Sequence, residues 1–122
     1  MNGAVRSLAA GACLALLWAC HPRGANDFPV SVHPARQPLQ VGETPLDLIT
    51  QGVPAGARVE VEGNMTHAGM RPVEAVATRV DAQHYRVERF AFSMAGDWIL
   101  TVTATTTDRT LSSDVPLTVE AP

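Results

Sequence analysis

Ala57-Arg58-Val59-Glu60-Val61-Glu62-Gly63 alternates apolar and charged residues at nearly every step. A period of two puts Val59 and Val61 on one face and Arg58, Glu60 and Glu62 on the other, the pattern of a half-buried β-strand. A helix would scatter the same residues around its axis. Further along the chain, Trp98-Ile99-Leu100-Thr101-Val102-Thr103 repeats the pattern, with Trp98, Leu100 and Val102 on one face. Val73 to Val80 and His84 to Phe92 flank Asp81-Ala82-Gln83, a short polar turn that reads as a hairpin. Leu46 to Thr50 follows Gly42 and Pro45, and Val115, Leu117 and Val119 close the chain. Toward the N-terminus, Phe28, Val30 and Val32 alternate and begin the sheet.

After the leader no stretch shows a helical period or a capped helix. Short strands at this spacing, with polar turns, predict an all-β fold: a small antiparallel immunoglobulin-like β-sandwich of about seven strands. The likeness is one of architecture, because the Cys-Trp-Cys pattern of antibody domains is absent. A chain of 122 residues has room for one domain, and with 5% aromatics its core rests on Val, Leu, Ile and Ala. The formal charge is -3, and the nine basic residues are all Arg, scattered without a run. That distribution gives no phosphate-binding stripe, so nucleic acid is not expected as a partner. Thr101 to Thr110 is Thr-rich, as suits an exposed hairpin.

The N-terminus reads as a targeting segment. Arg6 supplies the positive flank, and Ser7 to Ala19 is apolar or small throughout. This run is shorter than the roughly 20 apolar residues a membrane span needs. It ends at Leu17-Trp18-Ala19-Cys20, which resembles the lipobox of bacterial lipoproteins. The resemblance implies cleavage before Cys20 and acylation of its thiol. Several acyl chains would make a stable anchor where one alone is marginal. Two other readings stand beside it: an ordinary secretory signal that leaves Cys20 as a spare thiol, and Cys13, after Ala10-Gly11-Ala12, as the modified residue. The expected organisation is a signal peptide over 1–19, Cys20 with an irregular Pro- and Gly-rich tether to 38, and the sandwich over 39–122. The expected location is the cell envelope, with the choice between outer and inner membrane open. With Cys20 acylated and Cys13 removed, the mature domain has neither a free thiol nor a disulfide.

Chemistry concentrates in two segments, Glu62 to Pro72 and Phe92 to Trp98. Apart from the initiator, every Met of the chain falls there: Met65, Met70 and Met94. Thioether sulfur is soft, and with imidazole from His67 it suits Cu(I) better than a hard cation. The strand order brings the segments together. The chain leaves Ala57–Gly63, passes the Met65–Arg71 loop, and runs through Val73–Val80 and back through His84–Phe92. Two reversals return Met94 to the end where Met65, His67 and Met70 lie.

Packing offers a competing account of the same residues. Met65 continues the inward stripe of Val59 and Val61 and could plug the open end of the sandwich, and Met94 could pack under a corner. A metal role for Met65 requires it to face outward, which a bulge at Gly63 would achieve. With Met65 inward, the site shrinks to His67, Met70 and Met94. His33 and His84 have no such neighbours and read as surface residues. Ser93 and Asp97 near His67 invite a hydrolase reading, but nothing orients a base or builds an oxyanion hole. The chain is therefore not read as an enzyme.

The runs Glu62 to Val73, Tyr85-Arg86-Val87 and Phe92-Ser93-Met94-Ala95-Gly96-Asp97-Trp98 resemble the YtkA-like domain family, related to the periplasmic part of FixH-type proteins. The likeness covers roughly residues 39 to 120. It implies an immunoglobulin-like sandwich outside the cytoplasmic membrane, in a family often linked with copper handling or cytochrome oxidase assembly. Carried over by position, it points to Met65, His67, Met70 and Met94 as the shared set. In place of the transmembrane helix of FixH-type members, this chain offers Cys20. The expectation is a lipid-anchored Cu(I)-binding protein whose partner is a copper acceptor or another envelope protein. The alternative is a metal-free interaction module that uses Met70 and Arg71 as exposed contact residues.

Overall fold

The computed structural model describes residues 27–66 and 69–122. The leader, Cys13, Cys20 and His67 lie outside the described residues. Seven strands follow in chain order: β1 (Val30–Pro34), β2 (Gly42–Thr50), β3 (Arg58–Met65), β4 (Val73–Arg79), β5 (His84–Phe92), β6 (Gly96–Thr105) and β7 (Thr110–Val119). All strand pairs are antiparallel, and the described residues contain no helix. The expected all-β sandwich is therefore present as one sheet, ordered β1-β2-β5-β4-β3-β6-β7, that curls almost into a barrel. β1 falls inside the stretch expected to be tether and irregular first strand. The sheet thus begins at Val30, and Phe28 already packs in the core.

The sheet curls because β4 serves two neighbours. Its residues Val73–Ala77 pair with β3, and Thr78 and Arg79 pair with β5. The open edges, β1 and β7, are tied together without a full ladder. Phe28 N donates to Ser113 Oγ at 2.9 Å, and that hydroxyl donates to the Phe28 carbonyl. Val41 N and Glu120 O, then Glu120 N and Leu39 O, make a short parallel bridge at the other end. Closing the edges this way leaves fewer unpaired backbone groups for another chain to add to.

Inward residues from both halves fill the interior, including Leu46, Leu48, Val59, Val61, Val87, Leu100 and Val102. β5 shows how the hydrophobic pattern governs register. Tyr85 and Val87 face inward on odd numbers, Phe90 and Phe92 on even ones, and Glu88 and Arg89 between them are both exposed. The ladder with β2 shifts at the same place, where Pro45 lies between Thr44↔Phe90 and Leu46↔Val87. One extra residue in β5 flips its inward face, and Pro45, which has no N–H to donate, sits opposite the bulge. The flip delivers Phe90 and Phe92 to the core. Phe92 then meets Trp98 edge-on, ring centroids 5.3 Å apart at 85°, a pairing that adds about 0.5–1.5 kcal/mol beyond burial.

Candidate functional site

One pole of the barrel gathers the end of β3, the start of β4, the β5–β6 turn and the end of β7. The register shows it: Met65 pairs with Trp98 across β3 and β6, and Gly96 pairs with Val119 across β6 and β7. Thr66 N donates to Asp97 O at 3.3 Å, extending the β3–β6 ladder one step beyond Met65. The two methionine-bearing segments therefore share an end of the fold, as the strand order predicts.

Their side chains differ in surroundings. Met65 is 8% exposed and belongs to the core cluster. Met70 is half-buried and packs against that cluster, while Arg71 and Pro72 are exposed. Met94 is 46% exposed, comparable with Ile49, Val76 and Val80 on the rest of the barrel, and it is the exposed thioether of this pole. Its backbone is held nonetheless, because the buried indole N–H of Trp98 donates to the Met94 carbonyl at 3.0 Å. Gly96 completes the turn at φ +134°, a conformation L side chains rarely adopt. A Cβ there would also lie 2.8 Å from Met65 Cε. Met65 thus packs beneath the turn that displays Met94 to solvent.

The bulge at Gly63 that a metal role for Met65 would require is absent. β3 keeps unbroken register with β4 and with β6 through Gly63, so the odd-numbered stripe continues inward to Met65. Gly63 is needed for space instead: a Cβ would lie 2.7 Å from Phe90 Cζ and 2.9 Å from Leu100 Cδ2. Of the sequence-selected residues, the fold brings Met70 and Met94 to one accessible pole and holds Met65 beneath it. His67, by sequence, lies in the connection between Met65 and Met70.

Elsewhere, His33 is exposed as read, its Nε2 2.8 Å from Ser31 Oγ. His84 corrects its surface reading. It is half-buried, with Nε2 2.8 Å from Asp47 Oδ1, and Arg86 Nη1 lies 3.9 Å from the same oxygen. Asp47 and Arg86 are cross-strand partners on β2 and β5, a pairing legible only once the register is known. Outside the Met pole, the outer face of β4-β3-β6 holds a shallow depression lined by Glu60, Glu62, Glu74, Thr101 and Thr103. Its donors are hard oxygens, and Glu60 and Glu62 are already engaged by Arg58 and Asn64. Among the described residues, no three His, Cys, Asp or Glu side chains form a group that could hold a metal ion. A soft-donor site at the Met pole draws on a different residue set.

What sequence reading missed is the part played by Trp98. Its spacing from Met94 is visible in the chain, but the hydrogen bond that fixes the turn is a tertiary fact. No curated protein matches the sequence. The YtkA-like family model matches residues 25–103, a span that takes in β1 to most of β6 and includes Met65, His67, Met70, Met94 and Trp98. It begins earlier and ends earlier than the resemblance drawn from the motifs. Covering well over half of the chain, it places this protein in the YtkA-like family.

Proposed function

We propose that this protein is a lipid-anchored envelope protein that binds Cu(I) at the Met pole and passes it on by ligand exchange. The observation that carries the reading is Met94. A large thioether stands exposed on a turn whose backbone is pinned by Trp98, at the same pole as Met70. Core packing does not require it there. The residues fit the ion by donor chemistry: His67, Met70 and Met94 would supply one nitrogen and two sulfurs, a soft set suited to Cu(I). Met65, packed under the turn, would buttress the site. No bond in a substrate is made or broken, so no catalytic residue is assigned.

The test is an anaerobic titration of the mature chain with Cu(I) against a competing chelator, repeated with His67→Ala, Met70→Leu and Met94→Leu. Binding near one equivalent is expected, and each substitution should weaken it by about tenfold or more, roughly 1.4 kcal/mol per lost ligand. If the wild-type chain takes no copper from the chelator, the copper reading fails. A second reading then gains ground, in which exposed Met94, Arg71 and Pro72 form a contact patch for another envelope protein. Cross-linking from that pole would recover such a partner.

A further inference from the structure

The described chain begins at the end of the fold opposite the methionines. Phe28 is bonded to Ser113, near the start of β7, and Gln51 N donates to Pro29 O at 3.1 Å, just past the end of β2. Both partners lie toward the pole formed by the β2–β3 connection and the β6–β7 turn at Thr106–Arg109. The Met pole is at the other end of β6, a strand of ten residues. At roughly 3.3 Å per residue, β6 spans about 30 Å. Cys20 stands only seven positions before Asp27, and seven residues reach at most about 25 Å even when fully extended.

We infer that the domain, anchored through Cys20, stands with its Thr106–Arg109 pole toward the lipid and presents its Met pole to the aqueous compartment. The site then exchanges copper with a protein surface that approaches through water, not with groups buried in the bilayer. The inference rests on the lipid-anchor and copper readings proposed above. Phe28 sits at the level of Ser113 and its partner Val102, six residues or about 20 Å from Gly96. Inversion would therefore require the connection to Cys20 to be drawn almost taut, and a taut chain gives up most of its conformational freedom. Exposed aliphatic residues support the upright arrangement. Ile49 and Val80, 41% and 55% exposed, flank His84 in one cross-strand row at the anchored pole. Apolar side chains lose less free energy beside a lipid interface than in open water.

The test uses the acylated chain purified from bacterial membranes and reconstituted into vesicles whose headgroups carry an energy-transfer acceptor. Because acylated Cys20 leaves no other thiol in the mature chain, single labels at Thr107→Cys and Thr66→Cys are unambiguous, and both positions are exposed. Transfer from position 107 should exceed transfer from position 66 by about twofold or more, given about 30 Å between the poles. Equal transfer, or stronger transfer from position 66, overturns the orientation. Flotation separates this from failure of the anchor: the wild-type chain should rise with the vesicles and Cys20→Ser should not. A wild-type chain that stays in solution removes the anchor, and the inference falls with it. Loss of copper binding in the separate titration would leave the orientation result standing while removing its cargo.

Discussion

The Cε of Met65 fills the space that a Cβ on Gly96 would need, lying 2.8 Å from its ideal position, and so Met65 packs under the turn that exposes Met94. The two thioethers answer to different physics although they share a pole. Met65 should therefore behave as core. Met65→Ala is expected to cost about 2–5 kcal/mol in urea unfolding, and Met65→Leu less than about 1.5 kcal/mol. Cu(I) affinity should survive Met65→Leu. A Leu variant of unchanged stability that no longer binds copper would show that Met65 swings out to the ion.

Met94 should show the reverse profile. Its side chain is 46% exposed, so Met94→Leu is expected to change stability by no more than about 0.5 kcal/mol while weakening Cu(I) binding. Trp98→Phe separates the turn from the ligand. It removes the bond to the Met94 carbonyl and opens a cavity, at an expected cost of about 2–4 kcal/mol.

Oxidation offers a readout independent of copper. Under limiting hydrogen peroxide, which delivers one oxygen to the thioether and leaves as water, Met94 should become the sulfoxide first and Met65 last. Peptide mass spectrometry gives the order directly. Oxidation of Met65 at the rate of Met94 would contradict its burial.

Three glycines should divide by their surroundings. Gly63→Ala drives a Cβ into Phe90 and Leu100 and is expected to destabilise by about 1–3 kcal/mol. Gly96→Ala is opposed mainly by strain at φ +134°, since the atom it meets is the tip of the flexible Met65 side chain, and should cost about 1–3 kcal/mol. At Gly56 a Cβ would meet nothing within 4 Å, and the backbone there has no positive φ. Gly56→Ala should stay within about 0.5 kcal/mol of wild type. Chemical denaturation of the three variants side by side checks the ranking.

Tyr85 carries a hydroxyl that is buried without a hydrogen-bond partner among the described residues, in a side chain only 1% exposed. An unsatisfied buried donor costs about 1–3 kcal/mol. Tyr85→Phe keeps the ring and removes that cost, so the melting temperature should hold or rise. A clear fall in melting temperature would mean that the hydroxyl has a partner, such as an internal water.

The strands were legible in the chain alone. Val59 and Val61, Leu46 and Leu48, and Trp98, Leu100 and Val102 alternate strictly, because each strand has one face in the core and one in water. The return of Met94 to the pole of Met65 was legible too, since antiparallel reversals dictate which ends meet. The phase change from Tyr85 and Val87 to Phe90 and Phe92 was also written in the chain, as the mark of a bulge, and is easily read past. Other features follow only from contacts between distant segments. Whether Gly63 bulges depends on Phe90 and Leu100 pressing on it from other strands, and no local pattern reveals that contact. The Asp47–His84 pair depends on the β2–β5 register, 37 positions apart in sequence. The fate of Met65 and Met94 depends on packing as well: identical side chains, one sealed beneath Gly96 and one left in solvent, because only the folded turn distinguishes its inside from its outside.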